Sequence, residues 1–409
     1  MTDTTFVKSD LAARLGESSV SDFGALERFL LGSCEGAIAR RHDGQLVSLH
    51  QAIQRFEAFV RAQEPSFHFY DALLPKIRAW AMDTSVHAPI PLSRSSEPSR
   101  IELSQRQVRH LLAAAFFLGT TKVETGGSLS FWDIYRVPVP EAVERVLCLL
   151  AYFHQADRAG DEPTVAFTRF ELTPRATPAW DTFTTRVVAS RVSLHTDRME
   201  ASEAPVFVDF ANRDLHIHRV APSLTQEEVL FSMCPEAFVG VLFCERLLPN
   251  EVLTIDGVRR FCEYSGYLST FRFTGFHPTQ PTHEILVADA VTSGQFSDAN
   301  IRRDLNKIYL GFRSCKGSRV STGHWGCGAF GGDRTLKFLQ QVCAATVADV
   351  HLDYSTFHDE ESARSLTTVL ARAERGGFSV ADLVGVMHRY GARDWQTSFH
   401  EHVMRALTA

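Results

Sequence analysis

Apolar positions recur at three- and four-residue spacing through most of the first 160 residues, which is the period of amphipathic helix. The segments 25–41, 45–62 and 69–82 carry this pattern and are each expected to be helical. A polar connection rich in Pro and Ser, HAPIPLSRSSEPSR (87–100), follows them. Ser104 then stands as N-cap to SQRQVRHLLAAAFFLGT, where Val108, Leu111, Leu112, Ala115 and Phe116 share one face. Pro140 opens another helix, EAVERVLCLLAYFHQA, in the first turn, where proline is tolerated.

After Gly160-Asp161-Glu162-Pro163 the pattern changes. TVAFTRFEL, RVVASRVSLH, PVFVDF, EVLTIDGV, YLSTFRFTGF, EILVADAV and DVHLDYSTF read as strands, rich in β-branched and aromatic residues. Helices fall among them at TQEEVLFSMCPEAF, ANIRRDLNKIYLGF and RTLKFLQQVCAATVA, and the tail returns to amphipathic helix. This order predicts an α/β layer fold. The composition shift divides the chain into a helical region, 1–160, and a mixed region, 161–409.

Composition adds exclusions. The chain is 44% hydrophobic and 22% charged, as globular proteins are. Its formal net charge of −6 leaves no basic footprint for direct DNA binding. A polyanion remains admissible, because backbone N–H groups and helix N-termini bind phosphate without Lys or Arg. The eight cysteines show neither CxxC nor zinc-finger spacing and several lie in apolar runs, which points to a reducing compartment. There is no apolar signal core and no run of membrane-spanning length. The expected location is intracellular, nuclear and/or cytoplasmic.

The stretch 206–236, VFVDFANRDLHIHRVAPSLTQEEVLFSMCPE, sets a strand, a loop and an acidic helix start in succession. Asp209 and Asn212 fall at or just past the strand end, where α/β folds place ligands. Gln226-Glu227-Glu228 reads in two ways. Thr225 with Glu228, and Ser223 with Gln226, form overlapping capping boxes, and acidic residues suit a first helical turn. Alternatively, Glu228 is a general acid kept protonated by apolar surroundings and by Glu227 beside it. A second stretch, STGHWGCGAFGGDRTLKFL (321–339), carries five glycines between 323 and 332, with Asp333 as candidate N-cap. It matches neither a Walker loop nor a dinucleotide fingerprint, and serves equally as a tight turn or a diphosphate cradle. His216-Ile217-His218 suggests metal only weakly, since no third ligand is evident, and reads as surface or loop histidines. Nothing pairs Cys327 with a base as a nucleophile would need. Tyr264, Tyr267 and Phe357 suit either strand packing or stacking on a base or ribose. No metal and no cofactor is called for.

Taken together these motifs resemble the poly(ADP-ribose) glycohydrolase family. VDFAN at 208–212, QEE at 226–228, PE at 235–236, EYSGY at 263–267, RRDLNKIYLGF at 302–312 and TGHWGCGAFGGD at 322–333 carry the likeness. Weaker similarity extends to LLPKIRAWA at 73–81, PIPL at 89–92 and LSQRQVRHLLAAAFF at 103–117. The resemblance implies a macrodomain-like mixed sheet flanked by helices, with a helical N-terminal accessory region. It implies hydrolysis of the ribose–ribose O-glycosidic bond of poly(ADP-ribose), with ADP-ribose and ADP-ribosylated proteins as partners. Glu228 would protonate the departing oxygen, and Glu227 would position the ribose hydroxyls. Asp209, Asn212 and Gln226 fall in the ligand-binding part of the motif. The backbone of Gly326, Cys327, Gly328, Ala329, Phe330 and Gly331 would hold the diphosphate, with Phe330 packing beside it. Tyr267 would close over the ligand, Phe357 would lie against the adenine, and Glu200 would bind the adenine amine if a one-residue gap is allowed. Two departures stand out: His324 replaces a usual Asn, and His216-Ile217-His218 replaces consecutive glycines. Ile217 does not suit positive φ, so the loop is expected to run differently or the ligand to sit slightly elsewhere. The alternative to an enzyme is a macrodomain reader that binds ADP-ribose without cleaving; a third reading is hydrolysis of a related ADP-ribosyl bond.

Overall fold

The structure, a computed structural model, describes residues 4–33, 46–122, 127–158, 160, 163–390 and 397–408. The strands are β1 (Ser99–Leu103), β2 (Val165–Glu171), β3 (Val192–His195), β4 (Val206–Ala211), β5 (Glu251–Arg259), β6 (Cys262–Ser265), β7 (Arg272–Phe276), β8 (Thr282–Asp289), β9 (Arg319–Thr322) and β10 (His351–Ser355). Eight form one mixed sheet in the order β1-β2-β5-β8-β4-β9-β10-β3, while β6 and β7 make a separate hairpin. The β1, β2, β5 and β8 pairings are antiparallel; from β8 through β4, β9 and β10 to β3 they are parallel.

β4 lies inside the parallel half, and Val206, Phe207, Val208 and Asp209 are all buried, as a strand covered on both faces requires. Its side chains alternate between two apolar cores. Phe207 and Ala211 join the core shared with the N-terminal helices and the Gln226–Met233 helix. Val206 and Val208 join the core shared with the Asp298–Ser314, Arg334–Ala348 and C-terminal helices. Asp209 therefore points to the same side as the N-terminal helices.

The expected helices form with modest boundary changes. Val47–Arg61 and Pro140–Gln155 are helical, the latter with Pro140 at its start. Ser104 caps Gln105–Phe116 in a reciprocal box with Gln107. The 25–41 expectation is met by Phe23–Ser33, with 34–41 outside the described residues. The 69–82 segment opens as a π-helical turn, Phe69–Leu73, which leads into the proline-bearing Leu74–Ala81 helix. Three strands, β1, β6 and β9, escaped the periodicity. β1 ends the connection read as polar loop, and four-residue β9 lies inside a Gly- and Ser-rich run. Of the strand expected over 267–276, only β7 is extended; Leu268–Thr270 is a 3-10 turn entered through Leu268 at φ 51°.

Candidate active site

β4 and β9 pair only at Val206–Val320 and Phe207–Ser321, and beyond these residues the two strands part. The opening is a crevice at the carboxyl ends of parallel strands, the usual ligand position in such sheets. Gln226 closes its floor. Its carboxamide accepts from Phe210 N at 2.7 Å and donates to Val208 O at 3.1 Å, replacing the missing neighbour strand. The side chain is thus committed to β4, and the capping register expected between Ser223 and Gln226 is not the one formed.

The Thr225–Glu228 box does form. Thr225 donates its backbone N–H to Glu228 Oε2 at 2.8 Å, and its hydroxyl donates to the same oxygen. Glu227 turns the other way. It accepts from His216 N at 2.7 Å and from the backbone of Asn212. Asp209 is fully buried, and neither carboxyl oxygen has a hydrogen-bond partner among the described residues.

Ionisation differs from the expectation. Burial pushes the Asp209 carboxyl well above the usual range, and the nearby Glu228 charge adds to it. Burial likewise raises Glu227, with Asp209 and Glu228 adding. Glu228, expected to be held protonated, is held below its ordinary value. Burial acts to raise it, but His216, Arg145 and the two Thr225 donors outweigh that effect. Burial and the Arg145 charge hold the His216 imidazole itself down at about 4. The three carboxyls act on one another: burial and their mutual charges raise Asp209 and Glu227, while Glu228 is held down.

A cavity of about 220 Å³ opens beside this cluster. Glu200, Gln226, Tyr264, Tyr267, His324, Cys327, Gly328 and Phe357 line it, so eight of the residues singled out from sequence converge there. Glu200 Oε2 accepts from the Tyr264 hydroxyl at 2.7 Å. Tyr267 meets Phe357 edge to face, ring centroids 5.2 Å apart. Phe357 sits at φ 49°, a strained backbone of the kind that concentrates at functional sites. Burial pulls the His324 imidazole down to about 4, and its buried Nε2 has no partner among the described residues. Burial pushes the Cys327 thiol up to about 12, which leaves no thiolate for nucleophilic attack. Asn212 and Phe330 line a different, more polar cavity. Asp209, Glu227 and Glu228 line neither, and both glutamates are only 4% exposed.

The glycine-rich loop is built for close approach. Gly326 takes φ 72°, and a Cβ there would stand 2.5 Å from the Ala290 side chain. Internal bonds from Cys327 N to His324 O, Gly331 N to Gly328 O and Gly332 N to Gly326 O shape the loop. The N–H groups of Gly328, Ala329 and Phe330 make no bond among the described residues, which leaves three donors for an anion. Asp333 caps the next helix by accepting from Leu336 N at 2.9 Å, as its position predicted.

His216, Ile217 and His218 adopt φ of 51°, 49° and 54°. The turn is left-handed despite lacking glycine, contrary to the conformational preference of Ile217. His216 is not a surface histidine. It is fully buried, with its ring against Phe231 and Phe238. Among the described residues no group of three or more His, Cys, Asp or Glu could hold a metal ion.

Two family models match the chain: the macro domain fold of poly(ADP-ribose) glycohydrolase over residues 177–364, and the helical domain of that enzyme over 62–169. The chain belongs to the poly(ADP-ribose) glycohydrolase family. Poly(ADP-ribose) glycohydrolase 1 of Caenorhabditis elegans is 29% identical over 321 residues, covering 71% of this chain and 40% of that protein. Poly(ADP-ribose) glycohydrolase 2 of the same organism is 26% identical, covering 70% and 64%. The chain therefore spans less than two thirds of either relative. Poly(ADP-ribose) glycohydrolase 1 of Arabidopsis thaliana is 23% identical, covering 76% and 73%. Among solved structures, the Deinococcus radiodurans glycohydrolase in complex with ADP-ribose matches at TM-score 0.31 and 15% identity, covering 50% of this chain and 95% of that one. The family assignment rests on the sequence matches.

Sequence reasoning missed Met199, Phe210, Val229, Arg334 and Ser355 in the cavity wall, and Arg145 behind the carboxyls. Phe210 lies inside the VDFAN motif and Arg334 directly follows the glycine loop, so motif adjacency was available as a signal. Arg145 had none: it sits within an otherwise apolar helix face.

Proposed function

We propose that this chain is a poly(ADP-ribose) glycohydrolase that cleaves the ribose–ribose O-glycosidic bond and releases ADP-ribose. The observation that carries it is the acidic helix start at the β4–β9 crevice, opposite a glycine loop with three free N–H donors. In this reading the adenine enters the cavity between Phe357 and Glu200, and Tyr267 closes over the ligand. His324, Cys327 and the backbone of Gly326, Gly328, Ala329 and Gly331 surround the diphosphate, and Phe330 packs beside it. Asp209, Asn212, Gln226 and Glu227 hold the terminal ribose.

Glu228 is the acid–base residue. In the free protein its carboxyl is held below the ordinary value, while those of Asp209 and Glu227 are raised. The arriving diphosphate adds negative charge and displaces water, and both effects raise a carboxyl pKa. A proton then moves onto Glu228 within the coupled cluster and passes to the departing ribose oxygen. The oxocarbenium-like centre left behind takes up a water that the Glu228 carboxylate deprotonates. Residues 1–160 serve as the helical accessory region and 161–409 as the catalytic region. The partners are poly(ADP-ribose), ADP-ribose and ADP-ribosylated proteins, in the nucleus and/or the cytoplasm; among the described residues no helix is long and apolar enough to cross a membrane.

One observation favours a reader that does not cleave: Glu228 is buried and held as a carboxylate. A turnover assay with purified protein and polymer, run beside Glu228→Ala, separates the two. The enzyme reading expects a rate loss of about 10²–10⁴-fold or more in the variant. Wild-type protein that binds ADP-ribose but releases none from polymer would leave only the reader.

A further inference from the structure

The loop between β4 and the Gln226–Met233 helix is held from the helical region by Ser128, whose N–H donates to His218 O at 2.9 Å, and by the side chain of Arg145. Arg145, on the Pro140–Gln155 helix, is fully buried in the site's rear wall. Its guanidinium donates to Ala221 O at 2.5 Å and to Ser223 O at 3.3 Å, and lies 2.9 Å from His216 Nε2. All three contacts fall on that loop, two of them within four residues of the Thr225 cap. A salt bridge of pure charge would need none of this geometry; the planar fork with several donors does.

The partners also settle the state of His216. Nδ1 lies 2.7 Å from Arg219 O, and a carbonyl oxygen only accepts, so Nδ1 carries the hydrogen. A guanidinium only donates, so Nε2 is bare. His216 is a neutral imidazole with one defined tautomer, wedged between Phe231 and Phe238. Its backbone N–H donates to Glu227 at 2.7 Å. Arg145 thereby reaches Glu227 through the left-handed turn and reaches Glu228 through the carbonyls that set its cap.

We propose that Arg145 is a positioning residue for the glycosidic cleavage, which it serves by clamping the His216 turn and the Thr225 cap so that Glu227 and Glu228 keep their places. The inference rests on the glycohydrolase reading above. It gives the helical region a part in the chemistry without contact to substrate, and it explains how a turn without glycine keeps its left-handed form. The groups that face Arg145 and Glu228 are Cys148 from the same helix, Asp209 from β4, Glu227 and His216 from the loop and helix, and Tyr267 from beyond β6. Without Arg145, no cation in that set opposes the Glu228 charge.

The test uses the full chain with Arg145→Lys, Arg145→Met, His216→Gln and the double variant Arg145→Met/His216→Gln. Lys keeps the charge and loses the fork, and it stands in if the Met variant does not fold. Folded variants are expected to bind ADP-ribose within about threefold of wild type while kcat falls roughly 10–100-fold. In Arg145→Met the alkaline limb of the kcat profile, set by loss of the proton that Glu228 donates, moves to higher pH. The double variant is no slower than the slower single one, because the two residues act as one device. Nitrogen-15 NMR of wild type should show a neutral His216 protonated on Nδ1.

Folded variants with kcat within about twofold of wild type would overturn the proposal, as would single losses that multiply. So would an imidazolium or an Nε2-protonated His216. If wild type releases no ADP-ribose, the glycohydrolase reading fails by itself. The clamp is then judged by the His216 tautomer and by whether the Glu228 carboxyl titrates higher in Arg145→Met, which removes the charge, than in Arg145→Lys, which keeps it.

Discussion

The Tyr264 hydroxyl donates to Glu200 at 2.7 Å, inside a cavity whose far wall is the glycine-rich loop. Burial raises the Glu200 carboxyl above its ordinary value, and the tyrosine donor partly offsets that. The contact leaves the second carboxyl oxygen to meet a ligand. Tyr264→Phe removes one hydrogen bond to a charged group, worth about 1.5–3 kcal/mol. ADP-ribose affinity is expected to fall about tenfold or more, with KM rising and kcat nearly unchanged. Isothermal titration beside steady-state kinetics checks this; a fall in kcat alone would count against it.

Asp209 is a buried acid without a hydrogen-bond partner among the described residues. Its folded pKa lies well above the ordinary value, so between the two the folded state holds a proton that the unfolded state has lost. Stability then falls as pH rises through that window, by up to about 1.4 kcal/mol per pH unit. Asp209→Asn abolishes this contribution. Its melting temperature relative to wild type is expected to climb as pH rises above the ordinary aspartate range. A difference independent of pH would show that Asp209 is ionised when folded.

Glu236 forms a buried pair with Arg259, at 3.0 and 2.7 Å to Nε and Nη2, and also accepts from Arg259 N at 2.7 Å. Arg259 continues to Gln105 at 2.8 Å, linking the helical region to the sheet. Removing one partner of a buried pair strands the other charge. Glu236→Ala is expected to cost about 3–5 kcal/mol, read from chemical denaturation. A loss below about 1 kcal/mol, the range of exposed pairs, would refute the linkage.

Ile217 is half-buried at φ 49° and makes none of the polar contacts of His216. Ile217→Gly relieves about 1–2 kcal/mol of left-handed strain and gives up about 0.5–1 kcal/mol of chain entropy together with some packing. Stability within about 1 kcal/mol of wild type and near-normal turnover are expected, measured by melting and by the polymer assay. His216-Ile217-His218→Gly-Gly-Gly should still fold but lose rate, since it removes the ring that Arg145 grips.

The sequence alone determined what depends on near neighbours. Periodicity placed the long helices and most strands, Ser104, Thr225 and Asp333 announced their caps, and the motifs around 208, 226, 263 and 322 marked the family and most of the cavity wall. These signals are local because helix period, strand alternation and capping act over a few residues. β1, β6 and β9 were not legible: they are short, polar or glycine-flanked, and extended only because neighbouring strands supply their hydrogen bonds. The tertiary structure also decided the chemistry's starting state. Read as an acid, Glu228 was expected to hold a proton; its carboxyl is instead held below its ordinary value, against burial, by His216, by Arg145 from another part of the chain and by the Thr225 donors. His216 was read as a loop or surface histidine; it is buried because Phe231, Phe238 and Arg145 converge on its ring. Ionisation and burial are set by what surrounds a group in space, and the chain brings those surroundings together only when it folds.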